Sequence, residues 1–112
     1  MHTVLIIDDE KAILDSLSSI LQDEGFKVFK ATDGNEGLSL FEREKPDVVL
    51  LDVWMPGMDG LQVLKRIRKK NEDAMVIVIS GHGTISTAVE AVKMGAYDFL
   101  EKPLSIDKVL EV

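Results

Sequence analysis

Cysteine is absent from the chain, which excludes disulfides, thiolate metal sites and cysteine nucleophiles. Histidine is nearly as scarce, and His2 and His82 lie far apart in the sequence, so no pair has metal-ligand spacing. No uninterrupted apolar run approaches the roughly 20 residues that a membrane-spanning helix needs. Positive charge is in deficit: 13 Lys and Arg against 20 Asp and Glu give a net charge of −7, which repels phosphate backbones and makes this chain by itself a poor ligand for nucleic acid. Repeats, linkers and low-complexity tracts are missing too. The N-terminus enters a strand pattern directly, with no charged leader or cleavage site, and a cytoplasmic location is expected.

What is present fits one soluble domain, 1–112, since 112 residues with 46% apolar content suffice for a single core and not for two. The chain is organised around residues 46–60. Val48 to Leu51 is a run of four branched apolar residues after Pro46, followed by Pro56-Gly57 and Asp59-Gly60 turn signals, which reads as a strand buried on both faces. It ends on a carboxylate, Asp52. Thr3 to Ile7, Lys27 to Ala31, Met75 to Ile79 and about Tyr97 to Leu100 read as four further strands. Between them lie amphipathic patterns. The first helix carries Ile13, Leu14, Leu17, Ile20 and Leu21 inward and is closed by Gly25. The second starts at Asp33-Gly34 with Leu38 and Phe41 inward, and the third has Leu61, Val63, Leu64 and Ile67 and a basic tail, read as a solvated end complementing the helix dipole. A fourth, capped by Thr84, has Ile85, Ala88, Val89, Val92 and Met94 before Gly95, and a fifth begins at Ser105 and is unfinished at Val112. Alternating strands and helices with short connections imply right-handed crossovers. The fold class is therefore α/β, a doubly wound five-stranded parallel sheet of order 2-1-3-4-5 in a flavodoxin-like three-layer sandwich.

In that architecture the C-terminal strand ends share one edge, where ligands bind. Asp8 and Asp9 follow strand one, Asp52 ends strand three, Ser80 strand four, and Lys102 follows strand five. Three converging carboxylates repel, which requires a cation or protonation, and an all-oxygen donor set suits Mg²⁺ completed by water and a phosphate oxygen. Lys102 offers a cation and Ser80 a hydroxyl to that phosphate. Together these are the parts for phosphoryl transfer with Asp52 as covalent acceptor. Each has a plainer reading: Asp8 or Asp9 as a helix cap, Ser80 as a loop hydroxyl, Lys102 as a solvated lysine. The joint placement favours a site. His82, between two glycines, reads as a loop residue.

These residues resemble the receiver domain of bacterial two-component response regulators over the whole chain: Asp8-Asp9, Asp52 with the loop Met55-Pro56-Gly57-Met58-Asp59-Gly60, Ser80, and Lys102-Pro103. The resemblance implies that Asp52 takes a phosphoryl group from a phosphohistidine of a sensor histidine kinase. It implies that Asp9, Asp52 and the backbone carbonyl of Trp54 hold Mg²⁺, with Asp8 acting through water. Ser80 would be the switch hydroxyl, Lys102 the phosphoryl's partner and Phe99 the switch aromatic, lacking the hydroxyl that many members have there. The stretch from Ser80 to Pro103 is similar to receivers of the NtrC type, which implies an AAA+ ATPase and a DNA-binding domain following in the intact protein, with the fifth helix cut short here. A receiver acts on its own side chain and is not a conventional enzyme.

A phosphoryl group adds about −1.5 to −2 charge and new acceptor oxygens, and it can act as a switch only if a second packing lies within a few kcal/mol. The wide apolar arc of the fourth helix, with strand five, is the candidate switching and homodimer surface; full burial is the plainer reading. Two rival classes share the architecture or the chemistry. An FMN carrier needs a phosphate loop where Asp8-Asp9-Glu10 stands, and a phosphatase resembling the haloacid dehalogenase family needs a second Asp where Trp54 stands.

Overall fold

Five short apolar runs become five parallel strands in the computed structural model, which describes residues 2–52, 60–70, 74–80, 93, 96 and 98–101. The elements are β1 (Thr3–Ile7), α1 (Lys11–Asp23), β2 (Lys27–Ala31), α2 (Gly34–Glu44), β3 (Val48–Asp52), α3 (Gly60–Lys70), β4 (Met75–Ser80) and β5 (Asp98–Glu101). Sheet order is β2-β1-β3-β4-β5, the doubly wound order expected from the sequence. The fourth and fifth helices expected over 84–94 and from Ser105 lie outside the described residues, apart from Lys93, which is helical and exposed. β4 and β5 each extend one residue further than the apolar runs, because ladder pairing of Ser80 with Glu101 continues past the last apolar side chain.

Period-two alternation along the strands divides the core between the two faces. Leu5, Ile7, Val49, Leu51, Val76 and Val78 pack with Leu38 and Phe41 of α2 and with Val63, Leu64 and Ile67 of α3. Val4, Ile6, Leu50, Ile77 and Ile79 point the other way, onto Leu14, Leu17 and Leu21 of α1. The buried stripe of α1 is Leu14, Leu17, Ser18 and Leu21. It is therefore rotated slightly from the one read from the sequence, leaving Ile13 and Ile20 half-buried and turning Ser18 inward. Such i, i+3, i+4, i+7 spacing follows the helical repeat, and a small hydroxyl is tolerated at its centre.

Helix ends are built as their residues dictate. Gly25 closes α1 at φ +93, a backbone region that costs an L side chain strain. Its N–H donates to the Gln22 carbonyl at 3.0 Å and that of Phe26 to Leu21 at 3.0 Å, the paired bonds of a Schellman end. The Asp33 side chain accepts from the Glu36 N–H at 2.8 Å, while the Glu36 carboxylate accepts from the Thr32 N–H at 2.7 Å. These bonds satisfy two donors at the start of α2.

At the edge where strands begin, Asp47 ties β3 to β1. Its carboxylate accepts from the Thr3 backbone N–H at 2.8 Å and from the Thr3 hydroxyl at 3.1 Å, and its own N–H donates to the Thr3 carbonyl at 3.0 Å. The Thr3 backbone bond, then the hydroxyl bond, hold the Asp47 carboxyl below its ordinary value of 3.8. A folded-state value lowered in this way contributes stability that is complete above the unfolded value and lost as pH falls through the folded one. In urea titrations Asp47→Asn is expected to be less stable than wild type near neutral pH, with the gap closing as pH drops below 3.8. A gap independent of pH would contradict this role.

Close helix–sheet approach at α2 rests on Gly37. A Cβ built there would lie 2.5 Å from Ile7 Cδ1 and 2.8 Å from Cγ1, and Ile7 is fully buried. Overpacking of this kind costs about 1–3 kcal/mol, against which Ala recovers at most about 1 kcal/mol of helix propensity. Gly37→Ala should therefore destabilise the domain. The loss should shrink in an Ile7→Val background, which removes the nearest clashing atom, and equal losses in both backgrounds by denaturant titration would show that Ile7 is not the obstacle.

Candidate functional site

The pairing of β1 with β3 is in register, Ile7 beside Leu51, so the next residues, Asp8 and Asp52, leave the two strands at the same height. Adjacent strands lie roughly 4.8 Å apart, which is also the spacing of their side chains on one face. Alternation puts Asp8 and Asp52 on the α1 side of the sheet, continuing the rows that Ile6 and Leu50 begin. Asp8 still belongs to the ladder, its N–H donating to the Ala31 carbonyl of β2 at 3.1 Å, and Asp52 pairs with Ile79 of β4. Both carboxyl groups are enclosed, Asp8 at 0% and Asp52 at 1% exposure, whereas Asp9 is exposed.

One carboxylate oxygen from each of Asp8, Asp9 and Asp52 lies within 4.8 Å of the others. Oxygens around one Mg²⁺, with bonds of about 2.0–2.1 Å, stand roughly 3–4 Å apart, so the spacing suits one hard cation. Burial adds a second reason. Two enclosed carboxylates side by side have little water to screen them, and a divalent ion offsets both charges. The donor set fits a hard, oxygen-seeking metal, and Asp9 on the solvent side leaves that face open to water or a phosphate.

The plainer reading of Asp8 and Asp9 as helix caps is not what the structure has. The N-cap of α1 is Glu10, with no side-chain cap bond. Asp8 Oδ1 instead accepts from the Glu10 N–H at 2.9 Å, a turn closed two residues on that fixes the carboxylate as the chain leaves β1. Among the described residues, this use of the Glu10 backbone is a site contribution that sequence reasoning missed. A run of three acids does not reveal which N–H turns back.

The remaining expected site residues are placed less fully. Ser80 ends β4, one residue past Asp52's partner Ile79, on the same sheet edge. Phe99 lies in β5 beside Val78, below that edge. Trp54, His82 and Lys102 lie outside the described residues. Among the described residues no helix is long and apolar enough to cross a membrane.

Comparison with known proteins follows the same lines. Residues 4–112 match the model of the response regulator receiver domain. The chain is 47% identical over 109 residues to a putative response regulator NtrX-like protein of Rickettsia bellii, covering 96% of the chain and 23% of that protein. It is 41% identical over 113 residues to the nitrogen assimilation regulatory protein NtrX of Azorhizobium caulinodans, covering 99% and 25%. The chain thus spans about a quarter of these curated relatives. Among solved structures, the receiver domain of NtrX from Brucella abortus is 42% identical, with a TM-score of 0.92 over 96% of this chain and 92% of that one.

Carboxylate repulsion and metal binding make opposite predictions for one variant. In EDTA, Asp52→Asn should melt above wild type by on the order of 1 kcal/mol, a few degrees, because one buried charge is gone. With millimolar Mg²⁺ the wild type should gain stability by mass action and the variant should gain little. Melting curves indifferent to Mg²⁺, or equal gains in both proteins, would remove the case for a metal centre.

Proposed function

The chain belongs to the response regulator receiver domain family, and on that premise we propose that Asp52 is its phosphoacceptor, charged by the phosphohistidine of a sensor histidine kinase. The observation that carries this reading is the enclosed Asp52 carboxylate within 4.8 Å of Asp8 and Asp9 at the end of the central strand. An Asp52 carboxylate oxygen attacks phosphorus as the bond from phosphorus to the imidazole nitrogen breaks. The products are an acyl phosphate on Asp52 and a free histidine on the kinase.

Asp9, Asp52 and the Trp54 carbonyl would hold Mg²⁺, with Asp8 acting through water. When bound, the ion neutralises charge gathering on the phosphoryl oxygens. Lys102 pairs with a phosphoryl oxygen, and the Ser80 hydroxyl donates to another. By the family resemblance Ser80 would be the switch hydroxyl and Phe99 the switch aromatic, which has no hydroxyl of its own. Because the phosphoryl ends on the protein's own side chain, the domain is not a conventional enzyme. The acidic run after β1 argues against an FMN carrier, and Trp54 in place of a second Asp argues against a phosphatase.

The wider setting follows from the NtrC-type resemblance and from relatives about four times as long. Residues 1–112 act as one receiver domain, in the cytoplasm, controlling an AAA+ ATPase and a DNA-binding domain elsewhere in the protein. Phosphorylation changes self-association through the fourth helix and β5.

Incubation with acetyl phosphate and Mg²⁺, followed by intact-mass spectrometry, tests the core of this reading. Wild type should gain a single phosphoryl group, and Asp52→Asn or wild type in EDTA should gain none. An equal adduct on Asp52→Asn, or no adduct on wild type, would overturn it.

A further inference from the structure

The C-terminal half of α3 carries charge opposite to that of the acidic site. Residues 42–45 and 65–70 hold seven of the chain's 13 cations and only two of its 20 acidic residues. They therefore form a patch of net charge +5 in a chain whose remainder is −12. The two segments meet in space, since Lys70 of α3 is paired with Glu42 of α2. Beside that pair a cavity of about 510 Å³ opens, lined by Phe41, Glu42, Lys45, Pro46 and Lys70.

Helix-dipole compensation accounts for cations in the last turn of α3 and not for those before it. Lys65 and Arg66 are exposed, and α3 contains no acidic residue with which they could pair along their own helix. A cationic ridge of this kind beside an apolar-floored cavity pairs a charge preference with a place for one side chain. From this juxtaposition we infer a docking surface, independent of the Asp52 reading, for an acidic peptide segment of a partner protein. The segment's carboxylates lie along α3 and one aromatic or branched side chain enters the cavity over Phe41 and Pro46. Charge complementarity selects an acidic partner. A peptide is favoured over nucleic acid because residues 65–70 of α3 offer only about 9 Å of cationic surface before the acidic remainder of the domain repels an extended polyanion. The apolar floor also matches a side chain and not a phosphate. Glu72 and Asp73, which follow α3 in sequence, lie outside the described residues.

A fluorescein-labelled peptide, Asp-Glu-Asp-Phe-Glu-Asp-Glu, titrated with the 112-residue chain and read by anisotropy tests the surface. Saturable binding below about 1 mM is expected in about 0.05 M NaCl, lost in about 0.5 M. Replacing the peptide's Phe by Ala should weaken binding at least about fivefold, and the protein variant Lys65→Glu/Lys69→Glu at least about tenfold. Both positions are exposed, so an unchanged melting curve separates lost binding from lost folding. No saturation, undiminished binding to the double variant, or tighter binding of a short oligothymidylate of equal charge would each overturn the proposal, the last by assigning the patch to nucleic acid.

Discussion

In-register pairing of β1 with β3 is the constraint on which the site depends. Because Ile7 stands beside Leu51, the two residues that follow are forced to the same height, and both are aspartates enclosed by the sheet and α1. A slip of one residue would send one carboxylate to the opposite face, toward α2 and α3. Every apolar contact that fixes the register therefore also fixes the distance between the charges. Two core layers do this together: Leu5, Ile7, Val49 and Leu51 against α2 and α3, and Val4, Ile6 and Leu50 against α1.

The same packing that stabilises the fold sets two carboxylates side by side out of water. Enclosing two carboxylates beside each other opposes folding, and the domain tolerates this because the surrounding rows, from Ile6 and Leu50 to Ile77 and Ile79, are buried apolar side chains. Stability is thus spent at the C-terminal edge and gathered elsewhere: in the direct approach of α2 to β1 at Gly37, and in the Thr3–Asp47 bonds at the other edge.

Much of this was legible in the sequence because the signals were redundant. Short branched runs, acids at their ends, and glycine or Asp-Gly punctuation all pointed to the same alternating fold, and the doubly wound order 2-1-3-4-5 expected for it is the one found. Asp8, Asp9 and Asp52 could be gathered from topology alone. What could not be read was local rotation and backbone detail. Ile13 and Ile20 fitted the helical repeat by hydropathy and Ser18 did not, yet Ser18 is buried and the two isoleucines are half-buried. The Glu10 N–H bond to Asp8 depends on how the chain turns out of β1, which residue types do not specify. Nor did composition disclose that α2 and α3 bring their cations together around one cavity, because their closeness exists only in the fold.

The central claim is that this packed acidic edge makes Asp52, and no neighbouring acid, the group that accepts phosphorus. Sodium borohydride reduces an acyl phosphate to an alcohol, so treatment of the acetyl phosphate-charged domain followed by peptide mapping locates the modified carboxyl directly. The account predicts homoserine at position 52 alone, formed only when Mg²⁺ is present. Homoserine at Asp8 or Asp9, or a product that is indifferent to chelation, would contradict it.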